Sequence, residues 1–254
     1  FDLHRVEFEL DCHHGLFGAQ IARARPDCGR EIIMFFDDLA VAWPQLWQGF
    51  QETLKVVIAA AVGGILLGTI LALLRLSPIK PLSWIAKFYV NMFRSIPLLL
   101  VLMWFYFAVP FIYTGITGNF LQGDIAFKSS VVAFMLFEAA YFSEIVRAGI
   151  QSISRGQTFA AYALGMTYGQ TMRLVILPQA FRKMLPLLLQ QTIILFQDST
   201  LVAAIGLTDL FRAAYVRGTN TAGGILPSYI IFAGLVYFVI SLLATYGVKK
   251  LHAR

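Results

Sequence analysis

Four polar side chains lie inside stretches that are otherwise apolar: Arg94, Glu138, Gln197 and Asp198. An ionised group at the centre of a bilayer costs at least about 2.5 to 3.5 kcal/mol on insertion scales, so each needs a partner or a function. A carboxylate can receive an ammonium group, and a guanidinium can receive a carboxylate. We therefore predict that these residues are candidates for a pathway that carries a charged substrate, although Arg94 could equally snorkel to the membrane surface or bind carbonyls of a neighbouring helix.

Glu144 and Arg147 form a different kind of charged pair, three residues apart near the end of the apolar stretch that contains Glu138. Residues at this spacing lie side by side on a helix and attract each other when their charges are opposite. We interpret the two as a structural ion pair rather than as part of a substrate pathway.

The composition indicates the environment of these charges. Hydrophobic residues make up 58% of the 254 residues and charged residues only 13%, whereas globular domains carry about 25% charged residues. The mean hydropathy is +0.71, which predicts an integral membrane protein. The net charge of +6 lies in short clusters between apolar runs, and no nucleic-acid-binding motif is present. We therefore predict that nucleic acid is not a partner.

Five hydrophobic stretches after Met34 are each near the roughly 20 residues that cross about 30 Å of hydrocarbon as a helix. We predict transmembrane helices at 53–75, 88–112, 130–149, 184–206 and 228–247. Residues 34–52 mix acids with aromatic residues, which is typical of a short helix lying at the headgroup level. The predicted fold class is therefore an all-α integral membrane protein with about five transmembrane helices.

Residues 1–33 differ from the rest of the chain, since they hold both cysteines and three of the four histidines. Cys12, His13, His14 and Cys28 are all possible zinc ligands, but their spacing matches no C-x-x-C or H-x-x-x-H pattern. We therefore predict no metal site. The composition favours a disordered leader or a mis-set translation start, with Met34 as the natural beginning.

The distribution of Lys and Arg among the connections predicts the orientation, because cytoplasmic connections carry an excess of these residues. The first link, the third link and the C-terminal segment are rich in them. The second link (113–129) has only Lys128, and the fourth (207–227) has only Arg212 and Arg217. We expect the N-terminus outside and the C-terminus in the cytoplasm, in agreement with an odd number of spans.

The third link, residues 150–183, is the longest of the cytoplasmic connections. Ser154 and Gln157 have the spacing of a capping box, and apolar residues follow at helical spacing, which predicts a short amphipathic helix. We expect Gly165 and Gly169 to end or bend this helix, and Pro178 to stop the helix that follows. Two interpretations stay open: a helix resting on lipid, or a protrusion presented to a cytoplasmic partner.

Residues 159–178 resemble the EAA loop of ABC importer permeases, in which E-A-A is followed by three residues, G, nine residues and I-x-L-P. In this chain the pattern is formed by Ala160, Ala161, Gly165, Leu177 and Pro178, with Phe159 at the glutamate position and Val175 at the first isoleucine position.

Three further segments resemble the polar amino acid permeases of this family: FRSIPLL at 93–99, EAAYFSEIVRAGIQSISRGQ at 138–157 and FQDSTLVAAIGL at 196–207. The resemblance covers about residues 40–250. Within the family it is greatest to permeases that import glutamate and aspartate.

The resemblance implies the type I (MetI-like) ABC importer architecture in a bacterial inner membrane. It also implies a second permease, identical or homologous, two cytoplasmic ATPase subunits and a periplasmic amino-acid-binding protein. The loop would dock on the ATPase as a coupling helix, which makes the coupling residues Phe159, Ala160, Ala161, Gly165, Val175, Leu177 and Pro178. Because Phe159 replaces the glutamate, we expect apolar contact there instead of a surface ion pair worth at most about 1 kcal/mol.

The chain has no G-x-x-x-x-G-K-[ST] pattern and no local catalytic motif. We therefore predict no enzymatic activity and no cofactor bound by this chain. The resemblance implies a transport subunit whose partner binds ATP, with the polar amino acids glutamate and aspartate as substrates moved by alternating access. The alternatives are an ion-coupled carrier or channel, with Glu138 and Asp198 as ion sites, and a structural scaffold. The coupling loop favours the importer, because a channel has no need of it.

Overall fold

The computed structural model describes residues 28–119, 123–221 and 226–252, and Cys12, His13 and His14 of the predicted leader lie outside the described residues. The described ranges contain helices and no strand. The helices are α1 (Cys28–Leu76), α2 (Lys80–Arg94), α3 (Leu98–Thr117), α4 (Ile125–Gln151), α5 (Arg155–Ala163), α6 (Tyr168–Thr171), α7 (Leu177–Asp198), α8 (Leu210–Asn220) and α9 (Leu226–His252). A π-helical segment, Met172–Ile176, joins α6 to α7, and a 3-10 segment, Ser199–Ile205, follows α7.

Five helical segments in the described ranges are long and apolar enough to cross a membrane. They are Ile33–Leu76, Leu98–Thr117, Ile125–Gln151, Tyr168–Ile205 and Pro227–Leu251. The predicted all-α class with five transmembrane helices is confirmed.

The second predicted span begins in the wrong place. Residues 88–112 are not one helix, because α2 ends at Arg94 and α3 begins only after Pro97, its N-cap residue. A residue before proline is disfavoured in the α region, so Ile96 cannot continue the helix easily. The predicted span began too early because the apolar residues at the end of α2 continue the hydrophobic pattern of α3, although the two are separate helices. Arg94 therefore lies at the end of a separate helix and not inside the second transmembrane helix, as the predicted span 88–112 had placed it.

Helix α1 continues without a break through the segment 34–52, which the sequence predicted as a separate helix, and begins at Cys28 inside the predicted leader. Contacts with helices that are distant in sequence hold residues 34–52 of α1 in place. Asp38 accepts hydrogen bonds from Arg217 Nε (2.8 Å) and from the Tyr229 hydroxyl (2.7 Å). These partners lie on α8 and α9, so local sequence could not reveal them.

Helices α1 and α4 form the main packing interface, and glycines permit their close approach. A Cβ atom added to Gly68 would lie 2.8 Å from the Ala139 carbonyl oxygen and 3.0 Å from the Ser143 nitrogen. Gly63 and Gly64 similarly face Met135 and Phe142 of α4. The small-residue pattern of α1 thus serves helix packing.

Asp209 is the N-cap residue of α8 and connects it to α9, and the adjacent Leu210 connects α8 to α1. Its carboxylate accepts hydrogen bonds from the backbone N–H groups of Phe211 (3.2 Å) and Arg212 (2.9 Å) and from the Tyr237 hydroxyl (3.3 Å). The Thr53 hydroxyl accepts from the neighbouring Leu210 N–H at 3.2 Å. Burial raises the pKa of Asp209 to about 6, against the opposing effect of these donors.

Candidate functional site

The segment between α4 and α7 begins with α5, whose N-cap residue is Ser154, as predicted. The capping box predicted there does not form, because Ser154 makes no side-chain cap bond and Gln157 Oε1 instead accepts from Gln179 Nε2 at 3.4 Å. A capping box forms at α6. Thr167 Oγ1 accepts from the Gln170 N–H, and Gln170 Oε1 accepts from the Thr167 N–H.

Gly165 ends α5, as the sequence predicted. Its φ of +75° is a left-handed conformation that glycine adopts without steric cost. The Gly165 N–H donates to Tyr162 O at 2.9 Å, and the Met166 N–H donates to Ala161 O at 3.1 Å. These two bonds form a Schellman motif, which satisfies carbonyls at the helix end. Gly169, by contrast, lies inside α6 and does not end a helix.

Pro178 does not stop a helix, contrary to the prediction. It lies in the first turn of α7, directly after the π-helical segment. The Leu177 N–H donates to Met172 O, five residues back. Proline is tolerated in a first turn, where its missing N–H costs little. The chain therefore passes from α6 into α7 as one helical path.

The predicted coupling residues lie mostly on the surface of this segment. Phe159 is 65% exposed. Ala160, Gly165, Leu177 and Pro178 are also exposed, whereas Val175 is half-buried and Ala161 is buried. Further exposed residues extend the surface. Tyr162 is one of the residues whose helical spacing predicted the amphipathic helix, and Leu164 and Tyr168 were not predicted as coupling residues. Large exposed apolar residues grouped in one short segment are typical of a protein or membrane interaction site.

A cavity of about 380 Å³ lies beside this surface, where the end of α4 meets α5 and α6. Arg155, Tyr162 and Tyr168 contribute to its lining. The segment therefore combines an exposed apolar surface with a concave site beside it.

Glu138, on α4, is fully buried. Its Oε2 accepts a hydrogen bond from Gln191 Nε2 of α7 at 2.9 Å, and its Oε1 has no hydrogen-bond partner among the described residues. Gln191 and Asp198 are seven residues apart and lie on the same side of α7. Asp198 is half-buried and Gln197 exposed at the end of α7. The structure thus brings α4 and α7 together around Glu138, and the sequence reasoning missed Gln191.

Glu144 is the centre of a charged cluster. Its Oε2 lies 2.7 Å from Arg147 Nη2, the contact that their spacing predicts, and its Oε1 lies 2.9 Å from Arg75 Nη1 and 3.1 Å from Arg94 Nη1. The Arg94 guanidinium also lies 5.5 Å from the centre of the Tyr141 ring. Arg75 and Arg94 come from α1 and α2, so the pair is part of a larger group that joins three helices.

Comparison with known proteins identifies the class of this architecture. Residues 64–254 match the family model described as binding-protein-dependent transport system inner membrane component. The chain is 55% identical over 211 residues to the glutamate/aspartate import permease protein GltK of Escherichia coli O6:H1, covering 83% of this chain and 93% of that protein. It is 42% identical over 203 residues to the arginine transport system permease protein ArtQ of Bacillus subtilis (strain 168), covering 80% and 89%.

A solved structure shares the fold. The chain superposes with a TM-score of 0.75 and 33% identity on a chain from the crystal structure of an amino acid ABC transporter with histidines, covering 86% of this chain and 98% of the other.

Proposed function

The chain belongs to the family of binding-protein-dependent transport system inner membrane components, and we propose that it forms the membrane pathway of an ABC importer for glutamate and aspartate. The observation that carries the choice of substrate is the 55% identity to a glutamate/aspartate import permease over 93% of that protein. The chain is less similar to an arginine transport permease, at 42% identity. The difference in identity favours glutamate and aspartate over arginine as the substrates. The chain is a transport subunit and not an enzyme.

Coupling to ATP hydrolysis depends on the segment from the start of α5 to the first turn of α7, residues 155–178, which we call the coupling segment. Phe159, Ala160 and Gly165 present it to a cytoplasmic ATPase subunit, which binds the ATP. Val175, Leu177 and Pro178 connect it to α7, and Ala161 packs beneath its surface. The Schellman motif and the capping box support this proposal, because they satisfy helix ends inside a segment of only 17 residues, Arg155 to Thr171. A segment stabilised in this way can transmit displacement without unfolding.

The substrate pathway runs along the polar side of α7 and the facing part of α4. Gln197 is exposed and Asp198 half-buried within a candidate span. Ionisable groups in spans face the bundle interior or a water-filled cavity and not lipid. We place Asp198, Gln197 and Glu138 in the pathway, with the ammonium group of the substrate near a carboxylate. Arg94, at the edge of the Glu144 cluster, lies at the cytoplasmic end of the pathway.

The orientation places the N-terminus outside, the coupling segment and the C-terminus in the cytoplasm, and the protein in a bacterial inner membrane. A second permease completes the pathway, and a periplasmic binding protein delivers the substrate. The excess of Lys and Arg in the first and third links supports this arrangement. An ion-coupled carrier is the less favoured alternative, because it leaves the coupling segment without a role.

Reconstitution tests the proposal. The chain is assembled in vesicles with a second permease, an ATPase and a periplasmic binding protein, and uptake of labelled amino acids is followed with and without ATP. We expect ATP-dependent uptake of glutamate and aspartate, with glutamine and arginine as controls. Glutamine is close to glutamate in size but has an uncharged amide in place of the side-chain carboxylate.

Uptake of arginine or glutamine in preference to glutamate would refute the substrate assignment. Uptake of glutamate that an ion gradient drives in the absence of ATPase would support the carrier instead.

A further inference from the structure

Helix α2 is too short to cross a membrane. Its 15 residues extend about 22 Å at 1.5 Å per residue, against about 30 Å of hydrocarbon. One side packs on the protein, with Ser83, Ala86, Val90 and Phe93 buried. The Ser83 hydroxyl donates to Arg75 O at 2.9 Å, and the Tyr89 hydroxyl donates to Leu136 O at 2.8 Å. These bonds hold α2 against α1 and α4.

The opposite side of α2 exposes large apolar residues. Trp84 is 68% exposed, and Ile85 and Phe88 are each 59% exposed. The Trp84 and Phe88 rings stack on each other with their centres 5.9 Å apart. Tryptophan and other large apolar residues on one side of a helix are typical of helices that lie at the membrane interface.

Cations lie beside this apolar surface at heptad spacing. Lys80, Lys87 and Arg94 are seven residues apart along the chain. Their positions around the helix axis therefore differ by only about 20° from one to the next. The Arg94 guanidinium forms an ion pair with Glu144. Lys80 and Lys87 form no ion pair with a described residue, and α2 itself contains no acidic residue. The two lysines are therefore available to an anion that approaches from the membrane side.

We propose that α2 binds anionic phospholipid headgroups of the cytoplasmic leaflet, with Lys80 and Lys87 contacting the phosphates. Trp84, Ile85 and Phe88 enter the boundary between headgroups and acyl chains. The charge of this surface complements that leaflet, whose anionic lipids attract basic segments next to transmembrane helices. The placement at the cytoplasmic leaflet depends on the orientation given under Proposed function. The lipid contact itself does not depend on which amino acid is transported.

Native mass spectrometry of the assembled transporter tests the proposal. Phosphatidylglycerol and phosphatidylcholine are added in equal amounts, and the retained molecules are counted for the wild type and for a K80Q/K87Q double variant. A surface cation contributes about a five-fold preference for anionic lipid. We expect the double variant to lose roughly 25-fold in phosphatidylglycerol affinity with phosphatidylcholine unchanged. K80R/K87R keeps both charges and should retain the lipid.

The control is K55Q, which removes an exposed cation of α1 that already pairs with Glu52. It should bind phosphatidylglycerol as the wild type does. Equal loss in K55Q and K80Q/K87Q would overturn the proposal in favour of a general charge effect. Undiminished binding by K80Q/K87Q would also overturn it, and so would equal binding of soluble glycerol phosphate, which would identify an anion site without a lipid.

Glutamate uptake is measured on the same preparations. Retained lipid preference in a transporter that does not carry glutamate would contradict the substrate assignment and leave this proposal standing.

Discussion

Gln191 Nε2 donates to Glu138 Oε2 across 2.9 Å, which links the helix that enters the coupling segment to the helix that leaves it. Glu138 lies on α4 and Gln191 on α7, and the segment proposed to contact the ATPase lies between them. A displacement of that segment therefore moves both helices that carry this hydrogen bond. This hydrogen bond therefore connects the segment proposed to contact the ATPase with residues proposed to line the substrate pathway.

Replacing Glu138 with glutamine keeps an oxygen that can accept from Gln191 but removes the negative charge. If the carboxylate receives the substrate's ammonium group, the loss of a charged hydrogen bond should raise the KM for uptake by about tenfold or more. The measurement is ATP-dependent glutamate uptake in vesicles. E52Q, which removes a carboxylate that pairs with exposed Lys55 on α1, serves as control. Wild-type kinetics in E138Q would exclude Glu138 from the pathway.

Replacing Gly165 with valine should uncouple ATP hydrolysis from uptake. A side chain at φ +75° meets no neighbouring atom, so the cost is conformational, about 1 to 2 kcal/mol for a left-handed residue. The end of α5 would change shape while the protein stays in the membrane. G169V is the matched control, because Gly169 lies inside α6 with equally free space around it. Normal coupling in G165V would count against the role of this segment.

Replacing Gly68 with alanine should lower the melting temperature in detergent. The added methyl group would lie 2.8 Å from the Ala139 carbonyl oxygen, and backbone atoms cannot move aside cheaply. Such overpacking costs about 1 to 3 kcal/mol. Gly234 on α9 has no atom within 4 Å of the same position. G234A should therefore be neutral or slightly stabilising, since alanine is the better helix former. Equal effects of the two changes would contradict the packing described for α1 and α4.

Asp209 should make stability fall as pH rises. Burial raises its folded-state pKa to about 6, above the unfolded value of about 3.9, so the folded state binds the proton more tightly. The stabilising contribution is complete below about pH 4 and is lost as pH rises through about 6. Its full size is about 3 kcal/mol. Melting temperatures measured from pH 4 to 7 should decline in the wild type.

D209N should lose this part of the decline, because asparagine is neutral and still caps a helix. D124N changes the exposed N-cap residue of α4 and should retain the wild-type pH profile. A D209N profile that parallels the wild type would show that another group is responsible.

The orientation is tested by labelling single cysteines in a background where Cys12 and Cys28 are serine. L164C introduces a thiol at a position that is 82% exposed in the coupling segment, and N119C introduces one at an exposed position after α3. An impermeant maleimide applied to intact cells should label N119C only. After the membrane is opened it should label both. Labelling of L164C from outside would place the coupling segment on the wrong side for an ATPase.

The number of spans and the helix end at Gly165 could be predicted from the sequence alone. Crossing a bilayer requires about 20 consecutive apolar residues, which is a local property that composition reveals directly. The position of Gly165 at a helix end is likewise local, because the left-handed residue and the bonds that close the Schellman motif lie within six residues. Ser154 as an N-cap residue was predicted for the same reason.

Contacts between distant helices were decided by the tertiary structure. Glu144 attracts Arg75 and Arg94 as well as its neighbour Arg147, and Gln157 bonds Gln179 instead of forming the predicted capping box. The Glu138 and Gln191 contact spans 53 residues of sequence. Such pairs depend on how helices rotate and slide against one another, and that arrangement results from close packing at sites such as Gly68. The spacing of residues indicates which side of a helix a side chain occupies, but it does not indicate which other helix packs against that side.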